Sequence, residues 1–105
     1  MQLLVSTDNH ISGRASLTRR VEAAVKTALG RFGDRITRID VHFSDQNNAA
    51  KSGVDDKRCV IEARLAGVQP VTASDGSEAL FQALNGALRK LQSILDHMLG
   101  KRDRR

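Results

Sequence analysis

The sequence predicts an α+β domain of order β-α-β-β-β-α, in which a four-stranded mixed sheet carries two helices packed on one face. Three observations lead there. Residues 17–31 and 75–99 repeat apolar side chains at the i, i+3, i+4 spacing of a helix face. The segments around 2–7, 35–44 and 57–65 alternate apolar with polar residues, the period of a half-buried strand. Only one row of each alternating segment is apolar, so both helices must cover the same side and the other side must face water.

In chain order, the first strand is residues 2–7, with Leu3 and Val5 in one row and Gln2, Leu4 and Ser6 in the other. Asp8, Asn9, His10, Ser12 and Gly13 supply turn chemistry. Ser16 is expected to cap a helix over 17–31 whose apolar face is Leu17, Val21, Ala24, Val25, Ala28 and Leu29, with Phe32 closing it. Gly30 and Gly33 mark its stop. The second strand, 35–44, puts Ile39, Val41 and Phe43 inward and Arg38, Asp40, His42 and Ser44 outward. Residues 45–56 are polar and aperiodic and read as a long mobile hairpin loop. The third strand, 57–65, has Cys59, Ile61, Ala63 and Leu65 in its inner row and Arg58, Val60, Glu62 and Arg64 in its outer row. Gly67 is a tight-turn residue, and Pro70 assigns a last strand over 68–74 to an edge, because proline donates no ladder hydrogen bond. The final helix is expected from an Asp75 N-cap, with Glu78 completing a capping box, to a left-handed stop at Gly100. Its stripe is Leu80, Ala83, Leu84, Ala87, Leu88, Leu91, Ile94, Leu95 and Met98. A strand–helix–strand connection of this length makes the first two strands parallel neighbours, with the next two following as a meander.

The chain of 105 residues holds one core, expected over residues 1–100, and a short basic tail over 101–105. With three Phe and neither Trp nor Tyr, that core must be aliphatic. No run approaches the roughly 18 apolar residues of a membrane span, so no membrane partner is expected. The first residues lack the basic segment of a signal peptide. The single cysteine excludes an intramolecular disulfide, and the expected compartment is the cytoplasm.

Little in the sequence points to catalysis. His10, His42, His97 and Cys59 fall on four different elements with no metal-ligand spacing, and Cys59 belongs to an inner row as a small buried hydrophobe. There is no phosphate-cradling glycine motif, and Asp55–Asp56 reads as a solvated turn. No enzyme activity, cofactor, metal or small-molecule substrate is therefore expected. The charge is more informative. The net charge is +5 with a pI near 10.1. Lys101, Arg102, Arg104 and Arg105 set against Asp103 give the tail +3 of that, leaving +2 for the first hundred residues. Arg38, Arg58 and Arg64 stand in outer rows of neighbouring strands and are candidates to converge on one phosphate-gripping patch, with Asp40 and Glu62 on the same face as competing partners. No aromatic residue points outward from the sheet, so RNA would be read through backbone and shape.

Several residue runs carry a family resemblance: Met1-Gln2-Leu3, Arg31-Phe32-Gly33-Asp34-Arg35-Ile36, Ile39-Asp40-Val41-His42-Phe43-Ser44, and the helix with Ala79-Leu80, Leu84 and Leu91. Over about residues 1–100 the chain resembles the ribosome hibernation-promoting factor family, which includes ribosome-associated inhibitor A, in its short form. The resemblance implies a fold related to double-stranded-RNA-binding domains. It also implies docking on the small ribosomal subunit, where tRNA and mRNA would lie, with translation blocked under stress. Arg89 and Lys90 match the family's basic stripe on the last helix. Asp75-Gly76-Ser77 stands where members often carry Asp-Met-Tyr, and Gly86, Ser93 and Leu95 stand where basic residues are common. The expected rRNA phosphate partners are Arg38, Arg58, Arg64, Arg89, Lys90, Lys101 and Arg102, none of them catalytic. The alternative is a non-catalytic protein-interaction or regulatory domain on the same fold, with the tail serving only solubility.

Overall fold

The computed structural model describes residues 1–8, 14–45 and 57–103. The elements are β1 (Gln2–Thr7), α1 (Arg14–Leu29), a 3-10 segment (Gly30–Arg35), β2 (Ile36–Asp45), β3 (Lys57–Leu65), β4 (Val71–Ser77) and α2 (Leu80–Asp103). The sheet runs β1-β2-β3-β4, parallel between β1 and β2 and antiparallel thereafter. This is the expected topology, with β4 at an edge. The expected turn at 9–13, the hairpin loop after Asp45 and Arg104–Arg105 lie outside the described residues.

One hydrophobic cluster joins the inner strand rows to both helices. Ile39, Val41 and Phe43 of β2 and Cys59, Ile61, Ala63 and Leu65 of β3 are buried with Leu17, Val21, Val25 and Leu29 of α1 and with Ala83, Leu84, Ala87, Leu88, Leu91 and Leu95 of α2. Leu3 and Val5 of β1 pack against its margin. Among the described residues no polar or charged residue is buried. The roof is therefore purely apolar, and burying each Leu or Ile in it contributes roughly 1.5–3 kcal/mol before entropy. Gly33 (φ 57°) turns the chain out of α1 towards β2, and Gly67 (φ 78°) turns it between β3 and β4; both need a backbone that L-residues avoid.

Several boundaries differ from the sequence reading: α1 ends at Leu29, where a 3-10 segment takes over, and β2 is shifted by one residue to Ile36–Asp45. Ser16 lies inside α1, which starts two residues earlier at Arg14. β4 is displaced by three residues from 68–74 to Val71–Ser77, because β3 extends back to Lys57 and offers a ladder partner as far as Ser77. Asp75 is consequently a strand residue opposite Cys59 and not a helix cap; the turn into α2 is held by Ser77, whose Oγ accepts the Ala79 amide at 3.3 Å. At the other end α2 does not stop at Gly100 but continues to Asp103. Leu99, buried in the core, holds that last stretch against the domain, and a helical glycine costs only about 0.5–1 kcal/mol relative to alanine. Within α2 the buried stripe includes Leu99, while Ile94 is 36% exposed and stands outside it.

Candidate nucleic-acid interface

Register alone places the outer-face residues. Gln2, Arg38 and Arg64 lie in one transverse row; Leu4, Asp40, Glu62 and Thr72 in the next; Ser6, His42, Val60 and Ser74 in the third; Ser44, Arg58 and Gly76 in the fourth. Arg38 and Arg64 are thus brought together, directly opposite one another. Arg58 is not with them. It is six residues along β3, about 20 Å away at ~3.3 Å per residue, so the three arginines do not form one patch.

The carboxylates take part of that surface. Arg38 Nε donates to Asp40 Oδ1 at 2.8 Å, and Arg64 Nε lies 3.7 Å from Glu62 Oε1. Two like-charge cross-strand pairs, Arg38–Arg64 and Asp40–Glu62, are thereby converted into two opposite-charge pairs along the strands, which relieves both repulsions. The middle of the open face is close to neutral. Its remaining polar contact joins the parallel strands, with Ser6 Oγ 2.8 Å from His42 Nδ1.

The cations are freer around the β4 edge and on the helices. Arg58 contacts Ser74 Oγ at 3.3 Å from the open face. Lys90, reaching from α2, donates to Ser74 O at 3.1 Å and to Asp75 Oδ1 at 3.3 Å. Arg58, Lys90 and the neighbouring Arg89 therefore ring the Ser74–Gly76 stretch from both sides. Lys90 holds the Asp75 carboxyl below its usual range, chiefly by that hydrogen bond, with the Gly76 amide donating as well and Arg89 adding charge attraction. Gly86 makes this approach feasible: a Cβ there would fall inside the Asp75 carboxylate. A basic residue at position 86, where the family resemblance leads one to expect it, would be incompatible with Asp75 as placed.

Beside this corner is an open polar cavity of about 310 Å³ lined by Asp75, Gly76, Ser77, Gln82, Asn85 and Arg89. A second, shallower concavity of about 490 Å³ runs between the helices, over Ala24, Ala28 and Leu88 and along Asn85, Arg89 and Gln92. Its ends are fastened. Arg20 stacks over the Phe81 ring at 3.7 Å, and Arg31 makes a two-pronged bond to Asp96 at 2.6 and 2.8 Å. That pairing raises the Arg31 pKa and lowers that of Asp96. In between, Gln92 Nε2 donates to Ala28 O at 2.9 Å, satisfying a carbonyl at the end of α1.

Sequence reading missed Arg19, Arg20 and Lys26. They belong to α1, with Arg19 and Lys26 exposed and seven residues apart on the side away from the sheet. The helical phase of Val21 and Val25 was enough to place them there. Neither forms an ion pair among the described residues. Of the expected set, Lys101 and Arg102 extend α2, and their side chains lie outside the described residues. Cys59 is buried at the centre of the sheet, and burial together with the nearby Asp75 charge pushes its thiol up to about 12. It cannot supply a thiolate near neutral pH. Among the described residues no group of His, Cys, Asp and Glu is arranged to hold a metal ion, and no helix is long and apolar enough to cross a membrane.

Comparison with known proteins bears on this geometry. The family model described as sigma 54 modulation protein / S30EA ribosomal protein matches residues 5–103. No curated protein sequence matches the chain. Among solved structures, a ribosomal subunit interface protein from Coxiella burnetii superposes with a TM-score of 0.71 at 16% identity, covering 95% of this chain and 99% of that one. The Thermus thermophilus Protein Y N-terminal domain gives 0.71 at 18% identity, covering 93% and 99%. At these identities the two structures share the fold with this chain.

Proposed function

The chain belongs to the sigma 54 modulation protein / S30EA ribosomal protein family, and from that premise we propose that it is a cytoplasmic, non-catalytic ribosome-associated factor that binds the small subunit through rRNA phosphates and lowers translation. The observation that carries the reading is the family match over residues 5–103. The fold shared with a ribosomal subunit interface protein is consistent with it.

The charge layout selects among the contacts. Arg38 and Arg64 already have carboxylate partners, so a phosphate must displace Asp40 or Glu62 to use them fully. Arg58 and Arg89, with no carboxylate bound among the described residues, and Lys90 beside them form the principal contact; Arg19 and Lys26 extend it over α1. Lys101 and Arg102, in the last turn of α2, add positive charge at its end. Guanidinium groups suit this role because they grip phosphate with two parallel hydrogen bonds.

Co-sedimentation with ribosomal subunits at two salt concentrations tests the proposal. Each phosphate contact steepens the log–log salt dependence by about 0.7–0.9. Arg89→Ala should lower the slope by roughly one such step, and Arg38→Ala by less. Absence of subunit binding at low salt overturns the reading, and binding insensitive to salt overturns the phosphate mechanism. The near-neutral open sheet face, with Leu4 51% exposed beside Asp40, favours a second reading in which that face meets a protein. Subunit association unchanged after deletion of residues 101–105 and in Arg89→Ala would favour it.

A further inference from the structure

The polar cavity at the β4–α2 corner differs from the rest of the basic surface in offering an acceptor as well as donors. We propose that it is a guanine-binding pocket, in which the Asp75 carboxylate accepts from the N1–H and N2 amino group of an unpaired guanine while Arg89 donates to O6. The inference rests on the RNA-binding reading above and deepens it by naming a base.

The cavity, about 310 Å³, has room for one base, and its six lining residues come from the end of β4 and the first turns of α2. Their hydrogen-bonding capacity is only partly used. Asp75 accepts from Lys90 Nζ through Oδ1 and from the Gly76 amide, and a carboxylate has roughly four acceptor sites, so about two remain. Ser77 Oγ donates to Gln82 Oε1 at 2.8 Å, which leaves the Gln82 amide nitrogen as a donor towards the cavity. Asn85 and Arg89 line the cavity as exposed side chains with no hydrogen bond or ion pair among the described residues.

The arrangement is selective by chemistry. A carboxylate engages two adjacent N–H donors. Guanine presents such a pair on its Watson–Crick edge. Adenine and cytosine place a ring acceptor beside the amino group, and uracil flanks its single N–H with two carbonyls. Asp75 would therefore face an acceptor with any base but guanine, and the two hydrogen bonds that guanine makes would be missing. Lys90 keeps the carboxylate ionised and so an acceptor only. The absent side chain at Gly86 admits the carboxylate to this position. Lys90, bound to Ser74 O and Asp75 beside the cavity, is placed for a phosphate next to the base. Reading a splayed base by its Watson–Crick edge is the usual route to sequence preference in RNA.

The test uses the full chain with labelled six-nucleotide uridine strands, either uniform or carrying one central G, A or C, read by fluorescence anisotropy. The G strand should bind about 5- to 150-fold more tightly than the A strand, the range for one good bidentate base contact. Asp75→Asn and Arg89→Ala should each collapse that ratio towards one. The ratio is taken between strands on one folded preparation, with folding verified by circular dichroism, so loss of structure cannot imitate loss of preference. Competition by GDP separates the sources: displacement of the G strand by GDP at comparable concentration assigns the pocket to a free guanine nucleotide, and resistance assigns it to RNA. Equal binding of all four strands by the wild type, or a G preference that survives in Asp75→Asn, overturns the proposal. Failure of ribosomal co-sedimentation would instead remove the parent reading and leave the strand measurement standing.

Discussion

Replacing Gly86 by alanine should destabilise the protein, and the sign is the informative part. In an exposed helix interior, glycine to alanine stabilises by about 0.8–1 kcal/mol, because the backbone entropy lost on folding is smaller. At position 86 the new Cβ lands on the Asp75 carboxylate and within 3.1 Å of Asp75 Cβ. Asp75 must swing away, giving up its bond to Lys90, or β4 must shift from α2. Such overpacking costs typically 1–3 kcal/mol. The net expectation is a loss of up to about 2 kcal/mol. In an Asp75→Ala background the carboxylate is gone and only the 3.1 Å approach to the Cβ of residue 75 remains, so the same substitution should cost much less or become mildly stabilising. The coupling between the two sites, about 1–3 kcal/mol, is within the range of contacting residues. Urea denaturation of the four proteins at constant pH and salt reads it directly from the midpoints, provided the slopes agree. If Gly86→Ala stabilises equally in both backgrounds, the close approach of β4 to α2 described here is wrong.

Three further outcomes are expected. Leu84→Asp places a charge in the fully buried centre of α2; it should exceed the roughly 2–5 kcal/mol of Leu→Ala and abolish the dispersed amide spectrum of a folded domain. Cys59, with its thiol pushed to about 12, should react with a thiol reagent at pH 8 only as fast as the protein opens, so adding denaturant should accelerate labelling sharply. Asp75 and Asp96 both have folded pKa values below the ordinary aspartate value; their contribution is present above that value and is lost as pH falls through the depressed folded pKa. Urea midpoints should therefore decline on acidification below about pH 4, and Asp75→Asn with Asp96→Asn should flatten that decline; an unchanged acid limb would refute the pairing of Lys90 and Arg31 with these groups.

The alternating segments proved the most legible. β1 and β3 match the sequence reading at both ends, and the inner rows of β2 and β3 are buried as their period requires. Helix α1 could be read from its apolar face, but its start could not, since Arg14 and Ala15 extend it beyond the Ser16 cap without altering the pattern. The junction of β4 and α2 was read wrongly for a more instructive reason. Asp75 followed three residues later by Glu78 has the form of a capping box, yet the ladder offered by Lys57 and Arg58 of β3 keeps 75–77 extended. Non-local hydrogen bonding overrode a local signal. The interface was affected in the same way: Arg38, Arg58 and Arg64 look equivalent in sequence, whereas strand register gives the first and last carboxylate partners and carries Arg58 to a different edge.

By itself the sequence determined the class of fold, the topology and the side of the sheet that is roofed, because residue periodicity is a local property and apolar rows have only one way to leave water. Which arginines remain available, why position 86 has no side chain, and which polar groups meet at the β4–α2 corner were decided by tertiary structure. Those facts depend on distances between residues far apart in the chain, which periodicity does not encode and packing alone sets.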